Sequence, residues 1–163
     1  MSIRSLKGHL LIAAPSLADP NFRRSVVLMI QHDENGAFGL VLNRPASVSI
    51  QSVWQQVSES PCEIEGTLYQ GGPVEGPLMA LHSNAALSAI EVIPGVYFCV
   101  GADSMRTLVA ANNQTGRFFV GHAGWGVDQL ENELAEGAWY THPADSDDVF
   151  GDESELWGRA LKA

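Results

Sequence analysis

Residues 26–45 read VVLMIQHDENGAFGLVLNRP, and this stretch decides the fold. Two apolar runs, Val26–Ile30 and Ala37–Leu42, stand on either side of the pair Asn35-Gly36. An Asn-Gly pair between apolar runs predicts a β-hairpin with a two-residue type I′ loop, because both loop residues must adopt positive φ.

This loop assignment also predicts how the two strands pair. With Asn35 and Gly36 in the loop, Met29 faces Leu42 and Val27 faces Arg44. Both faces of the hairpin are then apolar over most of its length, which is typical of a strand pair buried at the centre of a sheet. Pro45 ends the second strand, because proline has no amide hydrogen to donate.

The rest of the chain mixes short apolar runs with helical patterns, so α+β is the predicted class. Asp128 at the N-cap and Glu131 at the third helical position form a predicted capping box for one of the helices. Further strands are predicted near 10–14, 68–70, 78–82, 96–100, 117–122 and 139–142, and helices near 49–57, 103–112, 128–137 and after 155.

The charge of the chain is concentrated in one segment. Of the 19 acidic residues, ten lie in residues 118–158, which contain no Lys or Arg; the remaining chain has nine acidic and nine basic residues. Because such an acidic segment repels phosphate backbones, we expect no direct binding of nucleic acid. It is either a solvated surface or a docking patch for a basic protein partner. We further expect guanidinium-rich and carboxylate-rich regions to lie apart in the folded protein.

The two cysteines, Cys62 and Cys99, are too few for a disulfide framework, which favours the cytoplasm. Cys99 lies in an apolar run and is expected to be a buried small residue. Cys62 follows Pro61 in a predicted loop and is the candidate for redox chemistry. No apolar run reaches the length of about 18 residues that a membrane span needs.

Positive charge gathers at the base of the hairpin. Arg23 and Arg24 precede its first strand, and Asn43 and Arg44 follow its second, so antiparallel pairing brings them to one end. Converging guanidinium groups suit a carboxylate or phosphate, and this makes the base a candidate site for a small anionic ligand. The alternative is internal ion pairing, for which Asp19 is the candidate partner.

Other site patterns give weaker or no indications. Gly71-Gly72 follows a predicted strand and reads as a tight turn, with pocket lining as the alternative. The order of glycines in Gly121–Gly126 does not match a dinucleotide or phosphate-binding loop. The five histidines lack metal-ligand spacing, and no G-x-S-x-G motif occurs, so we predict no metal, no cofactor and no catalytic residue.

Taken together, these motifs resemble those of the YqgE/AlgH family of bacterial proteins. The match depends most on Asn43-Arg44-Pro45 and on Gly124-Trp125 followed by Gln129-Leu130-Glu131, and it spans about residues 8–139. Asp128 departs from the pattern, because a glycine commonly stands there in the family. Further matching positions lie in the runs 8–15, 24–27, 36–42, 71–74, 81–82 and 121–125.

The resemblance implies an α+β fold with a mixed or antiparallel bifurcated sheet, partly closed into a small barrel and flanked by helices. The length of the chain predicts one domain over residues 1–163, and the charge distribution gives it an acidic C-terminal segment at 145–163. The resemblance implies no agreed activity. Part of the family is labelled a transcriptional regulator of alginate production. We therefore expect a non-enzymatic binding or regulatory protein; the alternative is a small-anion sensor or enzyme that uses the hairpin arginines. The sequence does not predict the oligomeric state.

Overall fold

The computed structural model describes six stretches of the chain, 5–20, 22–46, 68–83, 90–100, 116–151 and 155–161. The helices predicted near 49–57 and 103–112 lie outside the described residues. The described strands are β1 (His9–Ala13), β2 (Val26–Asp33), β3 (Gly36–Val41), β4 (Leu68–Gln70), β5 (Met79–His82), β6 (Ile90–Ile93), β7 (Val96–Val100), β8 (Gly116–Val120), β9 (Ala123–Trp125) and β10 (Trp139–Pro143), and the described helices are α1 (Gln129–Ala135), α2 (Ser146–Phe150) and α3 (Leu156–Leu161).

The strands form two five-stranded sheets. The first has the order β10-β1-β2-β3-β9, and all its pairings are antiparallel. The second has the order β4-β8-β5-β7-β6, in which only β4 and β8 run parallel. As predicted, the β2–β3 hairpin lies at the centre of its sheet, and Val26–Ile30 is completely buried. The α+β class is confirmed.

The predicted pairing within the hairpin is wrong. Met29 lies opposite Gly39 rather than Leu42, because the loop residues are Glu34 and Asn35, and the register shifts again between Met29 and Gln31. Gly36 belongs to β3, where its φ of 136° and its closeness to β9 require glycine: a Cβ there would lie 2.4 Å from the Trp125 carbonyl oxygen. The close contact with β9, rather than the geometry of the hairpin loop, therefore explains why residue 36 is a glycine.

The predicted partial closure into a barrel is not supported. The strand order shows two separate open sheets in the described residues, with β8 and β9 in different sheets. Gly121, at a φ of 78°, separates these two strands and allows the chain to leave one sheet and enter the other. The sheets are also joined where the Gly71 carbonyl accepts a hydrogen bond from Val41 and the Gly71 amide donates to Val120.

The core occupies both faces of the first sheet. Leu10, Leu28 and other alternate side chains pack towards the second sheet and α3, where they meet Phe119 and Leu156. The intervening side chains, such as Val27, pack on the opposite face with Leu130 of α1. The first sheet is thus covered by the second sheet on one side and by a helix on the other.

The helices after β9 differ in part from prediction. A helix at α1 is confirmed, but the capping box at its start is wrong: Asp128 has a left-handed φ of 64° and no side-chain capping bond. That backbone conformation is one that glycine adopts freely, which fits the departure of Asp128 from the family pattern. The helix α2 was not predicted, and it has a capping box made by Asp145 and Asp148. No described helix is long and apolar enough to cross a membrane.

Candidate functional site

The four residues predicted at the hairpin base are brought together. The Arg44 guanidinium donates a hydrogen bond to the Arg23 carbonyl at 2.9 Å. The Asn43 amide donates to the Arg24 carbonyl at 2.9 Å, and its oxygen accepts from the Val26 amide at 3.0 Å. These bonds join the turn before β2 to the end of β3.

The arginines at this base do not all point into one pocket. Arg24 has a left-handed φ of 57°, so the chain is not extended at this residue just before β2. Its guanidinium carbon lies 5.6 Å from the centre of the Trp157 ring on α3, a cation–π geometry. Arg23 and Arg24 are exposed, so their charged groups remain accessible from solvent.

Gly71 and Gly72 lie where two backbones cross at close range. A Cβ at Gly71 would be 2.4 Å from the Gly121 carbonyl oxygen, and one at Gly72 would be 2.2 Å from the backbone of His122. Any side chain would therefore collide with main-chain atoms. Both glycines are buried and allow the two sheets to meet.

Two arginines contact the acidic segment through its main-chain carbonyls and an aromatic ring, and the separation of arginines from carboxylates stays a prediction. Arg117 of β8 donates hydrogen bonds to the carbonyls of Phe150 and Gly151, within the acidic segment. Arg24 lies over α3, and the charge of Arg159 acts to lower the pKa of Asp148, although burial raises that pKa overall. Distance along the sequence did not predict distance in space, because β8 and the hairpin base both pack against the C-terminal helices.

Side chains in and after β9 form a hydrogen-bonded cluster around Glu133 that the sequence did not predict. Oε1 of Glu133 accepts from the indole of Trp125 at 3.1 Å and from the indole of Trp139 at 2.9 Å. Gln129 donates to the other oxygen at 3.2 Å. The Phe22 ring packs against both indoles, with centroid distances of 5.9 and 5.5 Å. The i, i+4 spacing of Gln129 and Glu133 is the feature of the sequence that could have indicated their hydrogen bond.

A second carboxylate of α1 binds a buried histidine. Nε2 of His32 and Oε2 of Glu131 lie 2.8 Å apart, and Nδ1 of His32 accepts from the Leu6 amide at 3.0 Å. Because Nδ1 is an acceptor, the ring donates through Nε2 to the carboxylate. This hydrogen bond lowers the pKa of Glu131, and it explains why Glu131 does not serve the helix cap.

Burial changes the pKa of two further histidines and of the described cysteine. Burial lowers the pKa of both His82 and His122, and burial raises the pKa of the Cys99 thiol to about 11. Cys99 is buried, as expected, whereas Cys62 lies outside the described residues. Among the parts of the chain that the structure describes, no three His, Cys, Asp or Glu side chains are grouped as metal ligands.

An open cleft lies at the other end of the hairpin, beside its loop. It has a volume of about 280 Å³. It is lined by residues of β2, the hairpin loop, β3 and β9. The residues that define it chemically are Gln31, Asp33, Asn35, Phe38 and Trp125.

In the described parts of the chain, the fold and these contacts define an α+β protein with two joined five-stranded sheets, in which Glu131 and Glu133 of α1 bind side chains of the first sheet. The chain belongs to the AlgH-like family, whose family model matches residues 10–163.

The relatives and solved structures agree with this assignment. A UPF0301 protein of Myxococcus xanthus is 39% identical over 165 residues, covering 98% of this chain and 91% of the relative. One from Chlorobaculum tepidum is 37% identical over 163 residues, covering 96% and 85%. The solution structure of AlgH from Pseudomonas aeruginosa has a TM-score of 0.81 at 33% identity and covers 99% of this chain and 89% of that one. A crystal structure from Corynebacterium diphtheriae has a TM-score of 0.79 at 25% identity, with coverage of 99% and 88%.

Proposed function

We propose that this protein is a non-enzymatic binding protein of the cytoplasm that acts on a basic protein partner, and that any effect on transcription is indirect and passes through that partner. The observation that carries the proposal is that arginine side chains are bonded within the protein, whereas carboxylates are exposed to solvent. The guanidinium groups of Arg44 and Arg117 donate to main-chain carbonyls of the same chain. The full sequence has a net charge of −10, and Asp33, Glu34 and Asp128 are among the exposed acidic residues in the described parts of the chain.

We use the name acidic tip for the exposed acidic residues Asp33 and Glu34, at the loop end of the hairpin, together with Asp128, which follows β9, the strand that pairs with β3. Asp33 is the last residue of β2 and Glu34 is the first residue of the hairpin loop, and the position of a Gly36 Cβ would be 3.6 Å from Gly126, two residues before Asp128. All three are exposed. A surface of this sign attracts Lys and Arg side chains and repels phosphate backbones.

The test measures binding of a Lys/Arg-rich peptide, a peptide of the same length with Glu in place of the basic residues, and duplex DNA at about 150 mM salt. We expect the basic peptide alone to bind. The double variant Glu34→Gln/Asp128→Asn should weaken it several-fold, whereas the equally charged control Asp147→Asn/Glu155→Gln, on and beside the C-terminal helices, should bind nearly as the original chain does. Equal weakening by both pairs, or a DNA complex with a steep salt dependence, would contradict the proposal.

A second candidate function is binding of a small anion at the hairpin base. It is favoured by the hydrogen bonds that hold Arg44 at the Arg23 main chain and Asn43 at the Arg24 main chain, and by the exposure of Arg23 and Arg24. A thermal-shift screen of phosphates and carboxylates tests it, because a ligand at 100 times its Kd adds about 2.7 kcal/mol to stability. A response that disappears in Arg23→Ala supports the candidate, and a response that persists in this variant removes it.

A further inference from the structure

Gly124, in the middle of β9, is a glycine that the fold does not require. Its φ lies outside the left-handed region, and no atom lies within 4 Å of the position that a Cβ would occupy. Gly36 and Gly121 differ in both respects. A glycine within a strand costs about 0.5–1 kcal/mol relative to alanine, and such positions often allow another molecule to approach the backbone closely.

The open space at Gly124 lies beside the cleft at the hairpin loop. Gly124 is the cross-strand partner of Phe38, and Phe38 is the partner of Gln31, so these three positions share one face of the sheet. Asp33 is two residues beyond Gln31 and therefore points to the same face. A side chain at position 124 would project on this face next to Phe38, which lines the cleft. We name this cleft, together with the open position at Gly124, the tip cleft.

The tip cleft combines three kinds of group. Asp33 provides a carboxylate whose orientation is fixed, because its Oδ1 accepts a hydrogen bond from the Asn35 amide at 2.8 Å. Gln31 and Asn35 provide side-chain amide oxygens. Phe38 provides a ring that is held in place by His122 and Phe98, at centroid distances of 5.0 and 5.7 Å.

This combination matches a guanidinium group. Guanidinium is planar, carries five N–H donors and stacks on aromatic rings, and it is less strongly hydrated than an ammonium group. A carboxylate and amide oxygens beside a ring can therefore bind its donors and its face together. None of the described residues that line the cleft is Lys or Arg, so no positive charge opposes a cation there.

We propose that the tip cleft binds the guanidinium group of an arginine side chain carried by the basic partner. This inference rests on the proposed function and names the side chain and the place that the partner uses. The acidic tip attracts the basic segment, and the tip cleft selects arginine within it. The missing side chain at Gly124 leaves the entrance open.

The test is a titration of the isotopically labelled full chain, followed by NMR, with three short blocked peptides that contain arginine, lysine or citrulline. Citrulline has the shape of arginine but no charge. We expect the arginine peptide to shift the signals of Gln31, Asn35 and Trp125, with lysine at least 5-fold weaker and citrulline without effect. Equal binding of arginine and citrulline, or of arginine and lysine, would overturn the proposal.

Two variants connect the binding to the tip cleft. Gly124→Leu should weaken the arginine peptide at least 10-fold by filling the entrance, and Asp33→Asn should do the same by removing the charge while keeping an oxygen for the Asn35 amide. The matched control is Gly158→Leu on α3, where nothing lies within 4 Å of a Cβ either. If Gly124→Leu does not fold, as thermal melting will show, Gly124→Ala should still weaken binding measurably.

The outcomes separate this inference from the proposed function. If the Lys/Arg-rich peptide binds the original chain and Gly124→Leu equally, the tip cleft is not the site, although the basic partner remains supported. If the Lys/Arg-rich peptide does not bind the original chain at all, the proposed function itself fails. If the arginine peptide and the Lys/Arg-rich peptide bind Gly124→Leu more weakly than the original chain, but bind Gly158→Leu equally well, the result supports both this inference and the proposed function.

Discussion

The imidazole of His32 and the carboxylate of Glu131 meet at 2.8 Å, although 99 residues separate them in the chain. His32 ends the buried part of β2, and Glu131 lies on the first turn of α1. Because the Leu6 amide donates to the other nitrogen of the same ring, one histidine connects the N-terminal segment, the hairpin and the helix.

Replacing Glu131 with Gln should reduce the free energy of unfolding by about 1 kcal/mol at neutral pH. Gln still accepts from His32, so only the extra strength of a bond to a charged group is lost, and partial exposure of the pair reduces this loss. The measurement is urea unfolding of Glu131→Gln beside the original chain. Glu136→Gln, an exposed position after the same helix, is the control and should change little.

The effect of Glu131 should also depend on pH in a defined direction. The hydrogen bond from His32 lowers the pKa of Glu131 below its usual 4.5 in the folded protein. The carboxylate therefore stabilises the fold above about pH 4.5, and this contribution is lost as pH falls through the lowered pKa. The difference between the original chain and Glu131→Gln should shrink at about pH 3. A difference of the same size at pH 3 and pH 7 would contradict this account.

Removing the carboxylate of Glu133 should cost more. Glu133→Ala leaves two indole N–H groups, those of Trp125 and Trp139, without their acceptor, and each unsatisfied donor that stays buried costs about 1–3 kcal/mol. Glu133→Gln keeps an acceptor and should recover about half of the loss. Urea unfolding followed by tryptophan fluorescence measures both. If Glu133→Gln and Glu133→Ala were equally destabilised, the indole bonds would not be the cause.

The thiol of Cys99 should be inert in the folded protein. Burial raises its pKa to about 11, so the reactive thiolate is only about 0.1% of the thiol at pH 8. In a Cys62→Ser variant, a thiol reagent should therefore label Cys99 in urea and leave it unlabelled in buffer over the same time. Rapid labelling in buffer would show that the thiol is reached without unfolding. Redox chemistry at Cys62 stays a prediction, and the original chain under peroxide beside Cys62→Ser tests it.

Local patterns in the sequence predicted the strands and helices better than they predicted which residues these elements contact. The Asn35-Gly36 pair correctly indicated a hairpin, but the register was wrong because Gly36 is needed for its contact with Trp125. The spacing of Asp128 and Glu131 indicated the helix, yet Glu131 binds His32 of a distant strand. Both errors arise where a long-range contact outweighs a local preference.

The candidate sites likewise differ in whether local pairing or a long-range contact brings their residues together. The grouping of Arg23, Arg24, Asn43 and Arg44 could be predicted, because antiparallel pairing alone brings the ends of a hairpin together. The tip cleft could not be predicted, because the open space at Gly124 depends on which strand pairs with β3. In sequence, Gly124 looks the same as the glycines that the backbone requires.

Gly71, where the two backbones cross, and Gly124, in β9, should therefore respond in opposite ways to the same substitution. Gly71→Ala should destabilise the protein by about 3 kcal/mol, because its Cβ would lie 2.4 Å from the Gly121 carbonyl oxygen and main-chain atoms cannot move aside easily. Gly124→Ala should instead raise the free energy of unfolding by about 0.5–1 kcal/mol, since alanine fits open space and restricts the unfolded chain. Urea midpoints of the two variants measured side by side decide the matter. Destabilisation by Gly124→Ala would mean that the fold requires this glycine after all, and the argument for a ligand at the tip cleft would lose its first step.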